Sequence, residues 1–146
     1  MDVLIFDLDH TIFAGEVVLH DGVAELLAII RRLGVKIAGL SSGDHRMLVR
    51  LEEAGVKHYF DSVLTADQTL QPKHTSGVLH LLAELQTEPG RAAIVSHAHS
   101  DILLGKEAQL AKTIGVSHGS GNTAPLQDAG ADHIVENIPG VLDVLE

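Results

Sequence analysis

The sequence predicts an α/β domain of three layers, a parallel sheet with helices on both faces. Apolar, strand-like runs alternate with amphipathic helical stretches along the whole chain. The strand runs are continuously apolar, as strands covered on both faces must be. The polar residues cluster immediately after strands, where open sheets of this kind bind ligands. A length of 146 residues suits one domain over 1–146, large enough to bury a core without staples.

Each element has its own signal. Val3 to Leu8 (VLIFDL) is a first strand, rich in β-branched and aromatic residues. Asp21 to Leu33 is a helix with an acidic start, Arg31 and Arg32 in its last turn and Gly34 as a stop. Val35 to Leu40 is a second strand, and Asp44 caps a helix running to about Ala54, closed by Gly55. Ser62 to Thr65 is a third strand and Thr75 to about Leu85 a third helix. Ala92 to Val95 is a fourth strand, Asp101 to about Lys112 a fourth helix, and Thr113 to Val116 a fifth strand. A short helix near Pro125 to Ala129, a strand near His133 to Val135 and a helix from about Pro139 complete the chain. Crossovers between such strands are right-handed.

Composition narrows the function. The formal net charge is −10 and no Lys/Arg cluster is visible, so a phosphate-neutralising nucleic-acid face is not expected, nor is attraction to an anionic membrane. No apolar run is long enough to span a bilayer. The chain has no cysteine, which removes disulfides, zinc–thiolate sites and thiol nucleophiles and fits a reducing compartment. Asp2, Asp7 and Asp9 interrupt the N-terminal apolar stretch, unlike a signal peptide. A cytoplasmic location is the expectation.

Four polar clusters follow four strands. Asp7 and Asp9 stand two apart where the first strand ends, so they can point to one side. Paired carboxylates suit a division of labour: one ionised and attacking, the other protonated as general acid, then base. Attack by a carboxylate on phosphorus gives an aspartyl-phosphate. The ordinary alternative is an acidic, solvated turn. Ser41-Ser42-Gly43-Asp44 brings hydroxyls and free N–H groups to a helix start, which makes either an anion site or a plain cap. Lys73, in Leu70-Gln71-Pro72-Lys73-His74, offers an ammonium that would offset charge on a transferring group, or is a surface lysine. Ser96-His97-Ala98-His99-Ser100-Asp101 follows the fourth strand, where Asp101 is an acid or a helix cap and the histidines are ligands or solvated loop residues. His118, after the fifth strand, lines the mouth of the site or belongs to a polar loop.

Phe6-Asp7-Leu8-Asp9-His10-Thr11-Ile12 resembles the first motif of the haloacid dehalogenase superfamily, Asp-x-Asp-x-Thr, and the other clusters follow in that family's order over nearly the whole chain. Tyr59 to Asp67 followed by Lys73 is similar to its phosphoglycolate phosphatase-like branch, with Pro72-Lys73 in the reverse of the usual order. The resemblance implies a Rossmann-like core in which Asp7 is the nucleophile and a Mg²⁺ ligand. Asp9 would be the acid/base and give its carbonyl to the metal. Ser41, with Ser42, and Lys73 would hold phosphate, and Asp101 would be the second acid of the fourth motif. At the first acid of that motif this chain has His97, and Ser96 replaces the preceding glycine.

An imidazole is a poorer ligand for Mg²⁺ and suits Mn²⁺, Co²⁺, Fe²⁺ or Zn²⁺ better. Three outcomes stay open: Asp101 takes over with a weaker Mg²⁺ site; His97, Asp7 and Asp101 hold a transition metal; or binding is too weak for turnover. The intervals Ile12 to Leu40 and Gly43 to Pro72 have no room for the cap domain of many relatives, and Ile12 to His20 is expected to form only a hairpin flap. Capless relatives use a neighbouring subunit as a lid or accept large substrates, so a homo-oligomer is an expectation.

The reading is a metal-dependent phosphatase acting on a small phosphorylated substrate through Asp7. The alternative is a catalytically impaired phosphate-binding or interaction protein, motivated by His97.

Overall fold

The computed structural model describes residues 1–69 and 71–145; Leu70, at the head of the Pro72-Lys73 run, and Glu146 lie outside the described residues. The predicted strands form at Val3–Asp7 (β1), Lys36–Leu40 (β2), Ser62–Leu64 (β3), Ala92–Ser96 (β4), Lys112–Val116 (β5) and His133–Val135 (β6). They make one sheet, ordered β3-β2-β1-β4-β5-β6. Every pairing is parallel, with Asp7 opposite Leu40 and Phe6 opposite Val95. The chain builds outward from β1 on one side, then returns to its other side with β4. The topological switch therefore lies between the carboxyl ends of β1 and β4.

The period of two along β1 divides the core. Leu4 and Phe6 face one layer, with helices α1 (Val23–Arg32) and α2 (Arg46–Glu53). Val3 and Ile5 face the other, with α3 (Thr75–Glu84) and α4 (His99–Glu107). All four side chains are fully buried, which explains why the strand reads as a continuous apolar run.

Differences from the sequence reading are local. Helix α4 begins at His99, because Ala98 is the extended residue before it, and this places Asp101 in the first turn rather than at the cap. It ends at Glu107, five residues before the expected Lys112. Gln109 turns into a left-handed conformation (φ 59) and Lys112 is already paired with Ala93, so the sheet claims residues whose propensity is helical. Asp44 precedes His45, the residue before α2, and still receives the Arg46 N–H at 3.0 Å. The C-terminal helix is of 3₁₀ type over Ile138–Val144, opened by Asn137 accepting from Gly140 N–H, and it buries Ile138 and Val141. Helix α5 is Ala124–Asp128.

Between β1 and α1 the expected flap is a minimal hairpin, with one bridge between Phe13 and Leu19. Ala14 N–H donates to the Val18 carbonyl at 2.7 Å. Arg50 of α2 holds the flap down: its guanidinium sits 4.5 Å from the Phe13 ring centroid and donates to the carbonyls of Gly15 and Glu16. Among the described residues, neither this connection nor the one from β2 to α3 contains an inserted domain. No helix among them is long and apolar enough to cross a membrane.

Candidate active site

The site forms at the topological switch. β1 delivers Asp7 and β4 delivers Ser96 beside it. The chain then turns sharply after β1: His10 is left-handed (φ 63), which brings Thr11 back over Asp7. Asp101 arrives from the first turn of α4. Lys73 arrives from the loop ahead of α3, seated directly on that helix at Gly77.

Asp7 is completely buried, and its two oxygens differ. Oδ2 accepts from the Thr11 hydroxyl at 2.7 Å and contacts Ser96 Oγ at 3.1 Å, with His97 Nδ1 at 3.2 Å. Oδ1 meets the Lys73 ammonium at 2.5 Å. The first oxygen is pinned; the second keeps a lone pair for chemistry. Thr11 also accepts from His97 N–H at 3.0 Å and lies 2.9 Å from His97 Nδ1.

Lys73 bridges Asp7 and Asp101, the latter at 3.1 Å. Ser96 Oγ lies 2.8 Å from Asp101 Oδ2 and accepts from Ala98 N–H. One hydroxyl proton cannot satisfy both carboxylates, so Ser96 donates to one of the two acids at a time. Burial alone would raise Asp7; the neighbouring His97 ring, the Lys73 charge and the hydrogen bonds from Lys73 and Thr11 outweigh it and hold Asp7 below the usual carboxylate range. Burial and the Asp7 charge push Asp101 up against the pull of Lys73 and Ser96. Burial would lower Lys73, but the charges of Asp7 and Asp101 raise it, so it stays an ammonium. Of the two acids, Asp7 is thus the one whose charged form the surroundings favour.

Asp9 belongs to a second cluster. Its carboxylate accepts from Ser41 Oγ at 3.1 Å and from Ser42 N–H at 3.2 Å, and Ser41 Oγ accepts in turn from Gly43 N–H. The structure therefore groups Asp7, Lys73, Asp101 and His97 around one point, and Asp9, Ser41 and Ser42 around another. Two recesses reach these groups. One, of about 410 Å³, is lined by Ser42, Lys73 and Gln71. The other, of about 490 Å³, opens beside His97 and His118. His118 lines this second recess and stacks on His20 of the flap, ring centroids 3.7 Å apart.

Thr11 and Ser96 are the site residues that the motif reading passed over. Thr11 is the Thr of Asp-x-Asp-x-Thr and was in view as pattern. Ser96 stands where glycine is usual, and a hydroxyl at that place was the available signal.

A buried carboxylate stands at the switch point of a parallel sheet, and the comparisons place the chain in a class. A family model described as haloacid dehalogenase-like hydrolase matches residues 1–109, and the chain belongs to that family. It is similar to "Probable phosphatase IndB" of Dickeya dadantii, 33% identical over 123 residues, 83% of this chain and 53% of the relative. It is also similar to "Phosphorylated carbohydrates phosphatase" of Thermotoga maritima, 27% identical over 80% of this chain and 55% of that protein. The chain thus spans about half the length of these curated relatives. A crystal structure described as "putative beta-phosphoglucomutase" from Thermotoga maritima superposes with a TM-score of 0.87 over 99% of this chain and 98% of that one, at 18% identity, which establishes the same fold.

Proposed function

We propose that this chain hydrolyses a phosphomonoester through a phosphoryl intermediate on Asp7. One observation carries the reading: a fully buried carboxylate at the switch point, one oxygen pinned and the other against an ammonium. Asp7 Oδ1 attacks phosphorus while the bond from phosphorus to the ester oxygen breaks. Asp9 gives that oxygen its proton. Asp9, now ionised, takes a proton from water as the water oxygen attacks phosphorus and the bond to Oδ1 breaks, releasing phosphate. Lys73 moves with the phosphoryl oxygens and offsets their charge, and Ser41 and Ser42 supply donors on the Asp9 side.

A divalent cation fits this donor set. Asp7 and Asp101 share Lys73 and Ser96 as neighbours, so two hard oxygen donors face one another. His97 would add an imidazole, which shifts preference from Mg²⁺ towards Mn²⁺, Co²⁺ or Zn²⁺. Asp7, Asp101, His97 and the Asp9 carbonyl would hold the ion, which would reduce repulsion between phosphate and nucleophile. Among the described residues no three His, Asp or Glu side chains are already grouped tightly enough for a metal, and Lys73 stands between the two acids.

The test is Asp7→Asn, assayed on p-nitrophenyl phosphate with each of these metals, beside rapid acid quench of the unsubstituted enzyme. Loss of turnover, and a phosphorylated peptide containing Asp7, are expected. Undiminished hydrolysis in the variant overturns the reading.

A further inference from the structure

The carbonyls of His10 and Ile12 flank Thr11, and one residue at the base of the flap holds both. The His20 backbone N–H donates to the Ile12 carbonyl at 2.9 Å, and His20 Nε2 lies 3.2 Å from the His10 carbonyl. A carbonyl oxygen only accepts, so Nε2 is the donor of the second bond. We propose that His20 is a positioning residue for the nucleophile: its ring, braced by His118, fastens the turn at His10 and so keeps the Thr11 hydroxyl on Asp7. The kinetic consequence rests on the phosphomonoesterase reading above; the structural one does not.

The turn needs fastening. His10 is left-handed (φ 63), a conformation that a residue with a Cβ holds only against a steric cost. Thr11 follows it directly, so relaxation of that φ would carry the hydroxyl off Asp7 Oδ2. The flap supplies little else at this end. Its single bridge joins Phe13 to Leu19, and Arg50 grips it further out, at the carbonyls of Gly15 and Glu16. His20 is the flap side chain that reaches back to the turn.

The ring is braced in its turn. His118 stacks on it nearly face to face, centroids 3.7 Å apart and planes 12° from parallel. A half-buried imidazole without that neighbour would sample other rotamers and release the His10 carbonyl. His118 comes from the loop between β5 and α5 and is itself left-handed (φ 54), with Gly119 following at φ 70. A line of contacts therefore runs from that loop through His118, His20 and the His10 turn to Thr11 and Asp7, joining segments about a hundred residues apart in sequence.

Thr11 also carries a reporter. Its hydroxyl accepts from His97 N–H at 3.0 Å, so hydrogen exchange at that amide reads whether Thr11 is in place, without reference to turnover.

The experiment compares His20→Phe, which keeps a ring for the stack and loses the donor, with His20→Gln, whose carboxamide can pack on His118 and donate to the His10 carbonyl. Each is made alone and with Thr11→Val. kcat and KM are measured on p-nitrophenyl phosphate, and amide exchange is followed by NMR at His97, with Ile5 in the centre of β1 as the control for folding. His20→Phe is expected to lower kcat about tenfold with KM within about twofold, and to add less than about twofold to the loss in Thr11→Val. It is also expected to speed exchange at His97 by about tenfold while Ile5 is unchanged. His20→Gln should recover most of both effects. His118→Ala should lower kcat and speed His97 exchange in the unsubstituted background and change neither in His20→Phe, and it carries the test if His20→Phe does not fold.

Unchanged kcat or unchanged His97 exchange in His20→Phe overturns the inference. So does a loss that multiplies with that of Thr11→Val, a glutamine variant as impaired as the phenylalanine one, or a His118→Ala effect that persists in full without the His20 donor. No hydrolysis by the unsubstituted protein with Mg²⁺, Mn²⁺, Co²⁺ or Zn²⁺ overturns the phosphatase reading alone, because exchange at His97 still decides the place of His20.

Discussion

Gly77 and Pro72 meet backbone to backbone: a Cβ on Gly77 would overlap the Pro72 carbonyl oxygen and come 3.2 Å from that of Gln71. Helix α3 is thus the seat of the loop that carries Lys73. Helix propensity alone favours Gly77→Ala by about 1 kcal/mol. The overlap reverses that sign, because the loop must lift. A shift of about 1 Å in Lys73 lowers kcat on the order of 10²-fold. Kinetics on p-nitrophenyl phosphate, together with urea unfolding, checks this; a more stable variant of full activity contradicts it.

Thr11 is expected to matter through its hydroxyl alone. It donates to Asp7 Oδ2 at 2.7 Å and accepts from His97 N–H at 3.0 Å in a fully buried position. Thr11→Val keeps the shape, removes the shortest hydrogen bond to Asp7 Oδ2 and leaves the His97 N–H without its acceptor, at a cost of about 1–3 kcal/mol in unfolding free energy. Asp7 is also held less firmly, by Ser96, His97 and Lys73 alone, so kcat falls while Thr11→Ser retains most of it. Equal activity in the valine and serine variants would show that the hydroxyl has no positioning role.

The fold was readable because its signals are repetitive. Each strand is a short apolar run, each helix an amphipathic one, and a parallel sheet is the arrangement that buries both. Misjudged boundaries lie where tertiary pairing overrides propensity, as at Gln109 to Lys112. The clustering of Asp7, Lys73, Asp101 and His97 followed from strand ends and the switch point. The hydroxyls that connect them did not stand out. Thr11 and Ser96 are common residue types, and their roles depend on a left-handed His10 and on the pairing of β4 beside β1, which no local pattern encodes. The recess beside His118 was equally hidden, since it joins loops distant in sequence.

Asp132 makes stability depend on acid. Its carboxylate accepts from Thr113 N–H at 2.8 Å, Thr113 Oγ1 at 3.0 Å and Lys106 Nζ at 2.9 Å, tying β5 to the turn before β6. Burial would raise its pKa, but the hydrogen bonds from Lys106 and Thr113 outweigh it and hold it below the usual carboxylate value. A lowered folded pKa means that the contribution is complete above the ordinary value near 4 and is lost as pH falls through the folded one. Asp132→Asn is expected to lower unfolding free energy at neutral pH by about 1 kcal/mol, discounted for partial exposure. Urea melts at descending pH should show the gap to the unsubstituted protein closing. A gap that holds constant into strong acid would mean that the charge contributes nothing.

His97 sets the last prediction, metal preference. The family's first acid at this place would give an anionic oxygen; His97 gives a nitrogen and one less negative charge beside Asp7 and Asp101. Mg²⁺ loses more by that exchange than Mn²⁺, Co²⁺ or Zn²⁺, which accept imidazole readily. The unsubstituted protein is therefore expected to bind Mn²⁺ about tenfold or more tightly than Mg²⁺ and to follow the same order in kcat/KM, with chelation abolishing turnover. His97→Asp restores an oxygen donor and should raise Mg²⁺ affinity by a similar factor, on the order of tenfold. Isothermal titration measures both affinities without reference to turnover. Mg²⁺ bound as tightly by the histidine protein as by the aspartate variant would remove His97 from the metal's coordination altogether.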